Sequence, residues 1–142
     1  PDWLELEITE SVIMEQHGRS FNSLQRLRDH GIELAIDDFG TGYSSLAHLK
    51  RLPVSRLKID RSFIRDIPQD ASNKAIARAV IAMGKSMGLR VIAEGVETNE
   101  QRAFLAAERC DEIQGYIYGP PLPAKQMTDL LSNRSGLDFP HA

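Results

Sequence analysis

Two adjacent carboxylates end an apolar run in the stretch Ile32-Glu33-Leu34-Ala35-Ile36-Asp37-Asp38-Phe39-Gly40-Thr41-Gly42-Tyr43-Ser44-Ser45. The run from Ile32 to Ile36 predicts a strand, and the glycines and paired serines after it predict a loop and a helix start. Adjacent carboxylates repel each other unless a cation, a shared proton or solvent relieves the charge. Two interpretations of the aspartates stay open here: an acidic turn, since aspartate is common in turns, or a cation site.

The composition is typical of one globular domain. The 142 residues are 42% hydrophobic and 26% charged, with a net charge of -3. This balance argues against a nucleic-acid polymer or an anionic membrane as the main partner. No apolar run approaches a membrane span, so we expect a cytoplasmic location, either alone or as the cytoplasmic end of a longer membrane-anchored protein. The single cysteine, Cys110, leaves oxygen atoms as the main ligands for any metal.

Strand and helix patterns alternate five times along the chain. Strands are predicted at residues 4–8, 32–37, 56–60, 89–94 and 112–116, and helices at about 18–30, 44–52, 72–87, 98–108 and 124–131. Residues 132–142 are expected to form a frayed tail. Repeated strand-helix units imply parallel strands with helices outside, which leaves a doubly wound sheet or part of an eight-stranded barrel.

Polar residues at the strand ends distinguish these two architectures. Such residues end five consecutive predicted strands, and they are Glu7, Asp37, Lys58, Glu94 and Gln114. Barrel active sites are assembled from the C-terminal ends of many strands, whereas a doubly wound sheet normally uses its switch point. We therefore predict an α/β fold that is a partial TIM (β/α)8 barrel. Residues 1–142 would supply about the last five strand-helix units, with the first three strands absent.

Carboxylates and a lysine on one rim predict metal-dependent hydrolysis. Carboxylate oxygens favour Mg²⁺ or Mn²⁺, and adjacent acids can bridge two ions that activate a water between them. A phosphodiester is the natural substrate for such a site. Lys58 could orient or deprotonate that water, or neutralise developing negative charge. The alternative for Lys58 is a solvated surface lysine.

Five motifs occur in order along the chain. They are Leu6-Glu7-Ile8-Thr9-Glu10-Ser11, the stretch from Asp37 to Leu46, Leu57-Lys58-Ile59-Asp60-Arg61-Ser62-Phe63, the stretch from Val91 to Glu97, and Gln114-Gly115-Tyr116 followed by Pro121-Leu122-Pro123. Together they resemble the EAL-type cyclic di-GMP phosphodiesterase domain. The resemblance implies a barrel enzyme of bacterial signalling that hydrolyses cyclic di-GMP to linear pGpG with two Mg²⁺ or Mn²⁺ ions. The Glu-Ala-Leu signature itself is absent from the sequence, so we expect little or no activity from this segment alone.

The resemblance also implies roles for individual residues. The implied metal ligands are Glu7, Asp37, Asp38 and Glu94, and the implied catalytic residues are Lys58, Glu94 and Gln114. The implied loop and supporting residues are Glu10, Glu97, Gly40, Thr41, Gly42, Tyr43 and Ser44, and the implied substrate-binding residues are Asp60, Tyr116 and Pro121.

The implied partners are cyclic di-GMP, upstream regulatory domains, and either a second copy of the chain or the missing half of the barrel. No nucleic-acid polymer is expected. Two alternatives to an enzyme stay open: a module that binds cyclic di-GMP without cleaving it, and a fragment that serves dimerisation.

Overall fold

The computed structural model describes residues 4–10, 12, 19–42 and 46–132. Strands and helices alternate along these residues. In chain order they are β1 (Glu5–Thr9), α1 (Arg19–Asp29), β2 (Glu33–Phe39), α2 (Leu46–Leu49), β3 (Arg56–Ile59), α3 (Ala71–Ser86), β4 (Arg90–Ala93), α4 (Asn99–Ala107), β5 (Glu112–Ile113) and α5 (Ala124–Ser132). Short 3-10 turns follow β3 at Arg61–Phe63 and β5 at Tyr116–Tyr118.

The five strands form one parallel sheet in the order β1-β2-β3-β4-β5. A doubly wound sheet reverses its strand order at a switch point, whereas this order follows the chain without reversal, as in a barrel. Within the described ranges, β1 and β5 each pair on one side only, so the sheet is open. The predicted fold class, a partial barrel of five strand-helix units, is therefore confirmed.

The two faces of the sheet differ in chemistry. Leu57 and Val91 are fully buried on the face that packs against α3. A side chain at Gly84 of α3 would place its Cβ 2.4 Å from a methyl of Val91, so glycine lets the helix approach the sheet closely. Side chains alternate along a strand, so Arg56 and Lys58 lie on the opposite face. That face corresponds to the interior of a barrel.

Side-chain caps fix where two of the helices begin. Asp70 accepts hydrogen bonds from the backbone N–H groups of Ser72 and Asn73 at the start of α3. Thr98 and Gln101 form a capping box at the start of α4. Both caps satisfy N–H groups that a helix start leaves without partners. None of the helices in the described part of the chain is long and apolar enough to cross a bilayer.

Four predicted boundaries are wrong. β2 runs to Phe39, two residues beyond its predicted end. β5 covers only Glu112–Ile113, because the chain enters a 3-10 turn at Tyr116. α2 ends at Leu49, before its predicted end at residue 52. Ser132 is the last residue of α5, so the predicted tail begins too early. The rest of that tail, 133–142, and the loop residues Tyr43 and Ser44 lie outside the described residues.

Candidate metal-binding active site

Lys58 lies among carboxylates that come from three other strand ends. Its Nζ is 2.6 Å from Oε1 of Glu7, 2.6 Å from Oε1 of Glu94 and 3.3 Å from Oδ1 of Asp37. Glu7 belongs to β1, Asp37 belongs to β2, and Glu94 directly follows β4. Lys58 is only 3% exposed. The alternative of a solvated surface lysine is therefore wrong.

A β-bulge interrupts β2 at the two aspartates. Ile36 pairs with Leu57 and Phe39 pairs with Ile59, so three residue steps of β2 oppose two steps of β3. Asp38 takes up the extra residue with a left-handed backbone, φ 54°. Its N–H donates to Oδ1 of Asp37 at 3.0 Å.

Three carboxylates form a group that fits a hard divalent cation. One oxygen from each of Asp37, Asp38 and Glu94 lies within 4.8 Å of the others. An all-carboxylate donor set suits Mg²⁺ or Mn²⁺ and disfavours softer metals. Glu7 stands outside this group and contacts Lys58 instead. The residues present therefore fit a divalent metal, with Glu7 at the edge of the site.

The site carries more negative charge than positive charge. Burial alone would lower the pKa of Lys58, but its hydrogen bonds to Glu7 and Glu94 outweigh burial and raise that pKa. The Lys58 ammonium is thus held in its charged form. Burial raises the pKa of Glu94, and the charges of Asp37 and Glu7 raise it further. Four carboxylates around one ammonium leave negative charge that a divalent cation would offset.

Asp60 joins the second aspartate of β2 to the turn after β3. Burial raises the pKa of Asp38, and the charges of Asp37 and Asp60 add to that rise. Burial acts to raise the pKa of Asp60 as well, but hydrogen bonding with Ser62 and with the carboxyl group of Asp38 outweighs burial and lowers that pKa. The Ser62 N–H donates to Oδ1 of Asp60 at 2.9 Å. Asp60 is therefore held as an ionised acceptor beside Asp38.

Glu10 ties down the loop that follows β2. Its carboxylate is buried, and Oε2 accepts hydrogen bonds from the N–H groups of Gly40 at 3.0 Å and Gly42 at 3.2 Å. A Cβ at Gly42 would lie 3.0 Å from the Glu10 carboxylate, so a larger residue there would push that carboxylate out of place. The Thr41 hydroxyl donates to the carbonyl of Asp38 at 2.8 Å. The loop is thereby attached to the bulge.

The remaining predicted site residues lie on the loops after β4 and β5. Gln114 is exposed, and its backbone N–H donates to the Ala93 carbonyl at 2.8 Å. Tyr116 and Pro121 are exposed beyond it. Glu97 is exposed, and its N–H donates to Oε1 of Gln101 at 2.7 Å. These residues follow strands at the same end of the sheet as the cluster, and none of them contacts Lys58 among the hydrogen bonds and ion pairs of the described residues.

Gln101 was missed by the sequence analysis. It is 3% exposed, and its side-chain oxygen accepts from the N–H groups of Glu97 and Thr98. Its Nε2 donates to the carbonyls of Ile64 at 3.2 Å and Arg65 at 3.0 Å. The amide thus connects the loop after β3 to the loop after β4. The signal that could have found it is the threonine three residues earlier, which together with a glutamine marks a capping box.

The fold and the site define part of an α/β barrel with a carboxylate cluster, of a kind that suits a divalent metal, at the C-terminal ends of its strands. The sequence profile of the EAL domain matches residues 1–121. The chain belongs to the EAL domain family. The predicted membership is therefore confirmed.

Two of the proteins that this chain resembles are named as phosphodiesterases. The chain is 50% identical over 129 residues to cyclic di-GMP phosphodiesterase NbdA of Pseudomonas aeruginosa, an alignment that covers 91% of this chain and 16% of that protein. The PaMucR phosphodiesterase in complex with cyclic di-GMP superposes with a TM-score of 0.86 at 47% identity, over 89% of this chain and 51% of that one.

A structure with bound metal is also similar. The complex of Klebsiella pneumoniae BlrP1 with manganese and cyclic di-GMP superposes with a TM-score of 0.78 at 36% identity, over 85% of this chain and 31% of that one. The chain thus spans about half or less of these solved chains, and 16% of the length of NbdA.

Proposed function

We propose that this chain supplies the metal-binding part of a phosphodiesterase that hydrolyses cyclic di-GMP to linear pGpG with two Mg²⁺ or Mn²⁺ ions. The observation that carries the proposal is the convergence of Asp37, Asp38 and Glu94 beside the buried Lys58. The substrate is supported by the names of the relatives and by the cyclic di-GMP in the similar structures.

Each charged residue has a distinct task in this proposal. Bound ions would supply an activated water and neutralise phosphate charge. Asp37, Asp38 and Glu94 would hold them, and the bulge would let both aspartates reach the same site. Lys58 would act as a cation that orients the water and stabilises the charge developing on the phosphate, because its raised pKa disfavours a role as a base. Glu7 would keep the ammonium in place.

The loops around the metals have supporting tasks. Glu10 would transmit the position of the loop at Gly40–Gly42 to the bulge through its two hydrogen bonds. The exposed Gln114 and Tyr116 would meet the substrate from the loop after β5, and Asp60 would do so beside Asp38. The loop at Gly40–Gly42, which follows β2, would also contribute to a homodimer.

The open edges of the sheet support a complete barrel as the active unit. Apart from Leu46, the large exposed apolar side chains of the described residues belong to the first and the last strand-helix units. In the first unit they are Leu4, Leu6, Val12 and Phe21, and in the last they are Tyr116, Tyr118, Leu122, Met127, Leu130 and Leu131. Unpaired strand edges and apolar patches of this kind call for a covering partner. We propose the first three strand-helix units of an EAL barrel as that partner, so that this segment alone has little activity.

The setting of the protein follows from the same proposal. We propose a cytoplasmic role in bacterial signalling with additional regulatory domains. The support is that the chain spans only 16% of NbdA and 18% of a relative from the same organism named bifunctional diguanylate cyclase/cyclic di-GMP phosphodiesterase MucR.

Chromatographic assay of cyclic di-GMP turnover tests the proposal. A complete barrel that contains this chain should form pGpG only with Mg²⁺ or Mn²⁺. Asp37→Asn and Asp38→Asn should each lower turnover by about a hundredfold or more, because each removes a charged ligand. Asp66→Asn is the matched control, since Asp66 is exposed and its ion pair is with its neighbour Arg65.

Two results would contradict the proposal. Wild-type turnover in Asp37→Asn would exclude the carboxylate group as the metal site. Calorimetry that finds metal-independent binding of cyclic di-GMP without product would instead identify a binding module.

A further inference from the structure

A second charged cluster lies on the interior face of the sheet, on the side where the strands begin. Nε of Arg56 is 3.0 Å from Oε2 of Glu5, and its Nη1 is 3.2 Å from Oε2 of Glu112. One guanidinium therefore connects β1, β3 and β5, which are alternate strands. The sequence analysis assigned no role to any of these three residues.

This cluster stands in a fixed relation to the candidate active site. Each of its members precedes a site residue by two positions on the same strand or its extension. The pairs are Glu5 and Glu7, Arg56 and Lys58, and Glu112 and Gln114. Side chains two residues apart point to the same face, about 6.6 Å apart along the strand. Barrel interiors are filled by such layers from alternate strands, so this cluster is the layer beneath the site.

A small side chain on β2, the strand between β1 and β3, permits the contact between Arg56 and Glu5. Ala35 of β2 pairs in register with Glu7 on one side and with Arg56 on the other. It is fully buried, and its methyl group leaves the space above β2 free. Arg56 can therefore reach β1 across β2.

This cluster affects the geometry of the sheet more than the stability of the fold. The side chains of Arg56 and Glu5 are each 26% exposed, and that of Glu112 is 39% exposed. Ion pairs with this degree of exposure add little to stability. A planar guanidinium nevertheless presents its donors in a fixed fork, so two carboxylates bound to it have a defined separation.

We propose that Arg56 is a positioning residue for the active site. By holding Glu5 and Glu112, it fixes the spacing of β1, β3 and β5 and thereby the contact between Glu7 and Lys58 one layer above. One expected consequence, weaker divalent metal binding when Arg56 is lost, rests on the proposed function. The effect of Arg56 on the contact between Glu7 and Lys58 does not.

Two measurements on a complete barrel that contains this chain test it. The ¹⁵N-resolved NMR signal of the Lys58 ammonium reports whether its hydrogen bonds protect it from exchange, and it requires no metal. Titration with Mn²⁺, followed by electron paramagnetic resonance, reports the metal site. The variants are Arg56→Met, which removes the fork, and Arg56→Lys, which keeps the charge alone. Arg28→Met is the matched control, because Arg28 pairs with Glu33 at 2.7 Å and joins α1 to β2.

The expected results separate positioning from general stability. Arg56→Met should broaden or abolish the Lys58 signal and raise the Mn²⁺ dissociation constant about tenfold, as for other residues that orient ligands indirectly. Arg56→Lys should resemble Arg56→Met, since it lacks the fork. Arg28→Met should leave both readouts at wild-type values.

An unchanged Lys58 signal in Arg56→Met overturns the inference, whatever the Mn²⁺ affinity. If wild-type protein binds no Mn²⁺, the proposed function fails, while the ammonium signal still decides the role of Arg56. If circular dichroism shows that Arg56→Met does not fold, Glu112→Gln, which removes one arm of the bridge, takes its place with the same expected loss of the Lys58 signal.

Discussion

Asp37 and Asp38 are adjacent in β2, yet their carboxylate oxygens approach the same point, within 4.8 Å of each other and of Glu94. Neighbours in a regular strand point to opposite faces. The bulge and the left-handed backbone of Asp38 remove this alternation. Aspartate is one of the few residues other than glycine that tolerates this conformation. The bulge therefore turns two adjacent acids into one site.

The first prediction concerns the charge of Asp38. Burial and the charges of Asp37 and Asp60 raise the pKa of Asp38, so the ionised group destabilises the metal-free fold at neutral pH. Asp38→Asn should keep the backbone and give a metal-free melting temperature at or above that of wild type. It should lose most of the stabilisation by Mn²⁺, which in wild type should reach about 2.7 kcal/mol at a hundredfold excess over the dissociation constant. Thermal unfolding with and without MnCl₂ measures both effects, and a wild-type response to Mn²⁺ would refute the prediction.

The second prediction concerns the ammonium of Lys58. Lys58→Met removes the cation that Glu7 and Glu94 share and leaves those carboxylates uncompensated. Removing one partner of a buried pair costs 3–5 kcal/mol, and the half-exposed Glu7 favours the lower end, about 3 kcal/mol. A divalent cation should restore part of this loss, so Mn²⁺ should stabilise the variant more than it stabilises wild type. Urea denaturation with and without MnCl₂ checks this, and equal stabilisation of the two proteins would contradict it.

The third prediction concerns the amide of Gln101. Gln101→Met leaves the carbonyl of Ile64 without its bond in a buried place and the N–H of Glu97 without its bond in a partly buried place. Each unsatisfied buried group costs about 1–3 kcal/mol, so the free energy of unfolding should fall by about 3 kcal/mol. Gln25→Met is the control, because the Gln25 amide bonds only an exposed aspartate one turn away. A similar loss in both variants would show that the buried amide has no special role.

The fourth prediction separates backbone strain from a clash beside Glu94. Gly95 and Gly88 have similar left-handed φ values, +69° and +73°. A Cβ at Gly95 would lie 2.6 Å from Cβ of Arg61, whereas a Cβ at Gly88 would meet nothing within 4 Å. Both alanine variants should lose about 1–2 kcal/mol to strain, and Gly95→Ala should lose about 1–3 kcal/mol more. Urea denaturation of the two variants gives the difference, and equal stabilities would exclude the clash.

The fifth prediction is a pH dependence at the opposite end of the sheet. Hydrogen bonds from Ser55 and Arg28 lower the pKa of Glu33 below its usual 4.5. A carboxyl group with a lowered folded-state pKa adds stability above its unfolded pKa and loses it as the pH falls through the folded pKa. Glu33→Gln should therefore be less stable than wild type at pH 7, and the two proteins should converge below pH 4.5. A constant difference down to pH 3 would show that the charge of Glu33 is irrelevant.

Local periodicity made much of the fold predictable. Apolar and charged residues alternate in β1 and β3, and glycines follow α1 and α3. These signals depend on neighbouring residues alone, so they are visible in the sequence itself. The placement of polar residues at consecutive strand ends was enough to favour a barrel, and the strand order agrees with it. The shortness of β5 was not predictable, since it depends on how Gly115 approaches the backbone of Val96, where a Cβ would lie 2.2 Å from the carbonyl oxygen.

The sequence by itself determined the chemistry of this protein: which residues are charged, at which strand ends they stand, and hence a set of oxygen donors suited to a hard cation. Only the tertiary structure decided their arrangement. The bulge that aligns Asp37 with Asp38 depends on register with β3, and the bridge from Arg56 to Glu5 crosses an intervening strand. Both arise from contacts between segments distant in sequence, whose geometry no local pattern specifies. The contacts with Glu7 and Glu94 that keep Lys58 charged despite its burial arise in the same way, because they join separate strands of the sheet.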